Sequence, residues 1–398
     1  MGRWRRLGFG LARGVVGAVV VLLLLVVGGL ALLQTGWAKD QLRGLIVRQA
    51  NNYLTATLSI GSLSGSLLRG IELGDIRLSR GSETLVSIEQ VALSYSIREL
   101  ISGGTLIRSL TLNKPRIVAA RQSDGRWDLA ALVRRETRRN ESTGPRRSIR
   151  IERIEVHDGT VLLRDPLSFG AAHVPASFEH LETSLSFTYQ PVTWTLDFAR
   201  ASFVGTAPDL TVKELTGTLS NGDAGWEFRA LRVVTPRSGF TLNGRIDRRQ
   251  TPTTLDLHVS APRFAFQEWA GILRGLGNIA VEASFDTQLT GPPSAMGTVI
   301  TLHSNGGNVS GDLVIDSSVP GWHAKGAAKV QRLDLARWLN RRDRPSDITG
   351  DVDMRRGQSP FVIAVNSRGN SVTSVVELLD PASWQPSKYR RPGRRPRH

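Results

Sequence analysis

Apolar and polar side chains alternate in short runs along most of this chain, and that period of two limits the fold more than any other feature. Leu185, Phe187 and Tyr189 alternate with Ser and Thr, and Trp194, Leu196 and Phe198 repeat the pattern in the next run. Phe240, Leu242, Gly244 and Ile246 follow, then Leu255, Leu257 and Val259, then Val281, Ala283 and Phe285. Successive side chains of a strand point to opposite faces, so each run predicts a strand with one apolar and one wet face. Turn chemistry separates the runs, as in Asn221-Gly222-Asp223 and Asn305-Gly306-Gly307. Helical periodicity is confined to short segments (Leu129 to Arg139, Gln267 to Leu276, Leu333 to Leu339), and nothing alternates strand with helix. The body is therefore predicted to be all-β.

A loose L-x-G or G-x-L motif recurs at Gly61-Ser62-Leu63-Ser64-Gly65-Ser66-Leu67, Leu215-Thr216-Gly217-Thr218-Leu219, Leu242-Asn243-Gly244-Arg245-Ile246 and Ile348-Thr349-Gly350-Asp351-Val352. Similar hairpins without a fixed period predict an elongated sheet that grows strand by strand. Glycines at recurring strand positions would let it curl. About 25 strands spaced at about 4.8 Å would reach roughly 120 Å at most.

Upstream of the strands, Val15 to Leu33 is uncharged and apolar, long enough at about 28 Å to cross a bilayer's hydrocarbon core. Arg3, Arg5, Arg6 and Arg13 precede it, so the positive-inside rule predicts a cytoplasmic N-terminus and a body on the far side. The run is longer than the core of a cleaved signal peptide, and the reading taken is an uncleaved anchor. The expected organisation is a basic leader over 1–13, a transmembrane anchor over 14–35, and an amphipathic helix over 36–58 with Leu42, Leu45, Ile46 and Gln49 at helical spacing. An elongated β-rich region then fills 59–380, interrupted by a basic loop near 134–153, and a basic disordered tail closes the chain over 381–398.

The formal net charge of +16 suggests nucleic acid until it is mapped. Leader, loop and tail together hold 15 of those charges and leave the body near neutral. A nucleic-acid site needs a basic face on a folded module, so that partner is not expected. With no cysteine there is no disulfide, thiolate nucleophile or zinc ribbon, and the seven histidines form no metal-ligand pair. Gly61-Ser62-Leu63-Ser64-Gly65 carries Leu at the centre, so it is no nucleophile elbow, and no phosphate-binding glycine motif is present. His157, Asp158 and Asp165 invite an acid–base reading, but His-Asp-Gly is more often a turn. No catalysis, metal or cofactor is expected.

A sheet with one apolar face must bury it. It can close into a dry core, which composition alone favours, or curl into a trough whose wall holds acyl chains. Leu185, Phe187, Tyr189, Trp194, Leu196, Phe198, Leu242, Ile246, Leu257, Val281 and Phe285 sample that face. A register slip of one residue would exchange the faces.

Order and spacing of several motifs then point to a family. The basic leader and anchor are followed by Ile60-Gly61-Ser62-Leu63-Ser64-Gly65-Ser66-Leu67-Leu68-Arg69-Gly70-Ile71, then by Leu106-Ile107-Arg108-Ser109-Leu110-Thr111-Leu112-Asn113-Lys114-Pro115-Arg116-Ile117. Asp124-Gly125-Arg126-Trp127-Asp128-Leu129, the run from Ile149 to Asp165, and Leu333-Asp334-Leu335-Ala336-Arg337-Trp338-Leu339 complete the set. Over residues 1–370 the chain resembles the AsmA-like family, its TamB group in particular. The resemblance implies an elongated β-trough on a single-pass bacterial inner-membrane anchor, with its body in the periplasm and phospholipid as cargo toward the outer membrane. It also implies an alternative role, that of a translocation and assembly module scaffold for outer-membrane β-barrel insertion, beside a BamA-like partner (TamA) reached through a further C-terminal domain. On this resemblance the trough displaces the closed core.

Overall fold

A computed structural model describes residues 38–375, apart from 67–69, 97–104, 122–126, 130–131, 133–147, 170–171, 191–192, 274–275, 319–322, 339–345, 356–361 and 368–369. The expected leader, anchor, tail and most of the basic loop lie outside the described residues, as does most of the helical pattern over 129–139. Among the described residues no helix is long and apolar enough to cross a membrane.

The chain enters through α1 (Ala38–Tyr53), then β1 (Thr57–Ser66), β2 (Gly70–Arg80), β3 (Glu83–Tyr95), β4 (Thr105–Asn113), β5 (Arg116–Ala119) and β6 (Ile149–Leu163). A small hairpin, β7 (Ser168–Phe169) and β8 (Ala172–His173), leads to β9 (Ser177–Gln190), β10 (Thr193–Thr206), β11 (Leu210–Gly222), β12 (Gly225–Val234), β13 (Gly239–Asp247) and β14 (Thr254–Ala265). Beyond a 3-10 turn at Phe266–Trp269 come β15 (Glu282–Gly291), β16 (Met296–Ser304), β17 (Gly307–Asp316) and β18 (His323–Leu333). After α2 (Leu335–Trp338) follow β19 (Ile348–Arg355), β20 (Val362–Ser367) and β21 (Asn370–Val375). All strands but β7 and β8 form one 19-stranded curved sheet.

Consecutive strands pair antiparallel, as alternating runs joined by short turns dictate. The exceptions are β4 and β5, which both pair with β3, and β6, which runs parallel to them and therefore needs a long crossover. The described part of that crossover does not skirt the sheet. Trp127, Leu129 and Leu132 tuck into the core, where Asp128 Oδ1 accepts hydrogen bonds from Ala120 N (3.1 Å) and Leu129 N (2.7 Å).

Helix α1 matches the amphipathic segment, with a shifted face. Ile46, Ala50 and Leu54, on and just past it, are buried, whereas Gln49 is exposed, because an i, i+4, i+8 stripe faces the sheet. The helix also caps the free edge of β1. Leu58 N donates to Asn51 Oδ1 (2.7 Å), Asn51 Nδ2 donates to Leu58 O (3.4 Å), and Arg43 donates to Gly61 O. These side chains stand where a neighbouring strand's peptide groups would otherwise be.

Curvature has local causes. Asp75, Lys114, Asp158 and His180, with φ of 50°, 47°, 50° and 51°, stand at one level of the sheet on β2, the β4–β5 junction, β6 and β9, with β3 between the first two. Each is a left-handed residue inside extended chain, and such bulges bend and twist a strand. Lys114 N donates to His157 O (2.8 Å) across this crease, and its Nζ lies 3.0 Å from Glu89. The curl shortens the distance along one margin: His173 N donates to Ile272 O (2.7 Å) although six strand spacings separate β6 from β14, roughly 29 Å in a flat sheet.

Two margins of the sheet differ. One carries the β7–β8 hairpin, the 3-10 turn and α2, while the other, among the described residues, has only the turns between strands. The two helical turns occupy equivalent places in a repeat. Arg263-Phe264-Ala265-Phe266-Gln267-Glu268-Trp269 and Arg332-Leu333-Asp334-Leu335-Ala336-Arg337-Trp338 share arginine, two large apolar residues and tryptophan at the same spacing. Each indole is pinned, Trp269 Nε1 donating to Ser238 Oγ (3.2 Å) and Trp338 Nε1 to Gly306 O (3.0 Å). Glu268 accepts from the Thr235 hydroxyl (2.6 Å) and Arg237 N (3.0 Å), tying the first turn to the loop beside it.

Candidate functional site

Cross-strand partners share a face, so the register traces the apolar surface strand by strand. One row runs Ile151, Phe187, Leu196, Leu219, Phe228, Gly244, Leu257, Leu289, Thr298 and Leu313. A second runs Tyr189, Trp194, Asn221, Trp226, Ile246 and Leu255. A third, beyond the bulges, runs Leu231, Leu242, Val259, Thr287 and Ile300. The opposite face is polar, with ion pairs such as His258–Asp286 (2.8 Å) and Arg245–Asp256 (4.0 Å).

This face has two regimes. Toward the N-terminus it is a closed core: Ile46, Ala50 and Leu54 cover it from one side and Trp127, Leu129 and Leu132 fill it. Phe187 is buried there, and Leu185, Tyr189, Trp194 and Leu196 pack against that core, so these five predicted wall residues sit at a filled end. From β11 onward most of the face is only half-buried. Leu219, Phe228, Leu242, Ile246, Leu257, Leu289 and Leu313 all lie between full burial and exposure, as expected of a curled single layer with an open concavity.

The remaining predicted residues divide in the same way. Phe198, paired with Leu185 and Gly217, marks the passage from closed to open. Leu242, Ile246 and Leu257 lie in the open stretch. Phe285 joins an aromatic group at the turn-bearing margin, 5.3 Å from Phe264, which stacks on Trp269 at 5.8 Å. Val281, just before β15, is 2% exposed, and a Cβ on Gly306 would meet it and Trp338. The pattern on β11, β12 and β17 carried the same signal at Leu219, Phe228 and Leu313. Bulges broke the alternation on β11 and β12, and the run-by-run reading passed over all three.

Tyr95 stands on the closed face beside Ile107, and burial pushes its phenol up to about 12 from 10.0. A raised folded pKa favours the neutral form, so the stability it contributes is constant below the unfolded value near 10 and is lost as pH rises from 10 to 12. Tyr95 is expected to ionise near pH 12, read as the difference between wild-type and Tyr95→Phe phenolate-absorbance titrations, and Tyr95→Phe is expected to lessen unfolding between pH 10 and 12. Ionisation of Tyr95 near pH 10 would refute this.

The residues considered for acid–base chemistry do not converge. His157 Nδ1 is 3.1 Å from Glu182 and His180 Nδ1 is 3.0 Å from Asp158, all on the exposed side of the crease, while Asp165 accepts from Arg121 N. Among the described residues no group of three His, Cys, Asp or Glu is placed to hold a metal ion.

Fold and face define a class: a long, curled, single-layer β-sheet protein with an apolar inner surface plugged at one end. The chain belongs to the AsmA family, whose model matches residues 12–280. Membership supports a membrane-associated role in lipid transport or assembly. No curated protein and no solved structure matches the chain.

Proposed function

We propose that this chain is a TamB-like phospholipid conduit, held in a bacterial inner membrane by Val15 to Leu33, with its sheet in the periplasm and no catalytic chemistry of its own. The observation that carries the reading is the half-buried apolar face that successive paired strands carry from β11 to β17. Acyl chains gain roughly 0.8 kcal/mol per buried CH₂ at any point along such a wall, so a lipid moves without meeting a deep trap. The plugged N-terminal end makes the open stretch, not the whole sheet, the lipid-bearing part. A BamA-like partner at the outer membrane belongs to the alternative reading. The alternative, a scaffold that pairs with incoming strands, requires an exposed edge, and at β1 that edge is occupied by Asn51 and Arg43.

The test is site-specific photocrosslinking in cells. Crosslinkers at Leu257 and Leu289 are expected to capture phospholipid, and those at Asp256 and Gln288 on the opposite face are not. Protein adducts alone would favour the scaffold. No adduct at Leu257 or Leu289 would refute the conduit.

A further inference from the structure

The apolar face is interrupted at one place by a polar side chain whose bonding is incomplete. Asn221 lies in register between Trp194 and Trp226, whose rings meet edge to face at 5.5 Å. It is 3% exposed. Its Oδ1 accepts from the guanidinium of Arg248 (3.3 Å), which also donates to Gly222 O (3.0 Å). A guanidinium only donates, so the amide oxygen must be the atom facing Arg248, and the NH₂ is turned away from it. That NH₂ is buried and has no acceptor. An unmet buried donor is costly and calls for a partner.

The place of this group matters. Asn221 and Arg248 stand at the margin that carries no helical turn among the described residues, where strands β11 and β13 end. The opposite margin is covered by the 3-10 turn, α2 and their aromatic residues. Apolar wall, unmet donor and cation thus follow one another from the middle of the trough to its free margin. Resting on the lipid reading above, we infer that Asn221 and Arg248 form a headgroup station: a phosphoester oxygen of a bound lipid accepts from the Asn221 NH₂ and faces Arg248, with the acyl chains directed across the trough. The half-buried indole of Trp226 flanks the amide on the open side, so its rotation is the route by which the amide meets the lumen.

The experiment uses the full chain with a fluorescent fatty acid as the displaceable probe. Dioleoylphosphatidic acid and dioleoylglycerol, which differ only by the phosphate, compete for it, with glycerol 3-phosphate as a chain-free control. Wild type is expected to prefer the phosphatidic acid about tenfold. In Asn221→Leu, which keeps the face apolar, and in Arg248→Gln, that preference falls to within about twofold while diacylglycerol binding is unchanged. Unaltered preference in both variants would overturn the station, as would displacement by glycerol 3-phosphate, which would mark a site for free phosphate. Failure of every lipid to displace the probe from wild type would refute the conduit itself, and the station with it. Hydrogen exchange over β11 and β12 identifies a variant that has lost the local fold.

Discussion

A carboxylate at Leu132 is expected to unfold the N-terminal part of this protein, whereas the same change at Leu257 leaves the sheet intact and abolishes lipid capture. Leu132 is 0% exposed, and its carbonyl accepts from Thr55 N at 2.8 Å, so it has neither water nor room to turn outward. An unpaired carboxylate there costs about 4 kcal/mol or more once the lost packing is included. Leu257 is half-buried on an open wall, where Asp keeps access to water and costs about 1 kcal/mol. Its effect falls on the ligand, because a charged group in the path of acyl chains is solvated only when they are absent. Limited proteolysis of residues 38–190 should therefore report Leu132→Asp, and phospholipid crosslinking from Leu289 should report Leu257→Asp. Equal loss of fold in both variants would mean that the trough is a closed core throughout.

The second large effect is at Gly244. Its φ is +122°, and a Cβ there would stand 2.0 Å from Asp256 O on β14. Backbone cannot yield as a side chain does, so Gly244→Val is expected to part β13 from β14 at a cost of roughly 3 to 5 kcal/mol. Gly81 is the control: its φ is +61° with nothing within 4 Å, so Gly81→Ala meets conformational strain alone, about 1 kcal/mol. A sheet of this length need not melt as one unit, so the readout is hydrogen exchange of the β13 and β14 amides. Protection surviving in Gly244→Val would show that the strands pair with room to spare.

How much of this was legible in the sequence follows from what each signal measures. Alternation reports that a strand has two unlike faces, and it located the runs around Phe187, Leu196 and Leu257 and the common face they share. It carries no record of what lies opposite that face. Phe187 and Leu257 therefore read alike although one is buried in the closed core and the other lines an opening. The parallel pairing of β6 was hidden because a strand's pattern is the same in either direction. The crease at Asp75, Lys114, Asp158 and His180 was hidden as well, because a left-handed residue other than glycine has no signature of its own. Asn221 was read as a turn residue. Asp223 and Ala224 make the turn, and only the register shows the Asn221 amide between two indoles.

The repeat ending in Trp269 and again in Trp338 encloses four strands, β15 to β18. Four is even, so the chain leaves and re-enters on the same margin with the same face inward. One such block could be removed or duplicated without inverting any downstream strand, and each would alter the reach of the wall by about 19 Å. An odd number of strands would carry the next helical turn to the opposite margin and leave its tryptophan without a site. The span this protein covers is therefore adjustable in whole blocks, much as a ladder is lengthened by sections and not by single rungs.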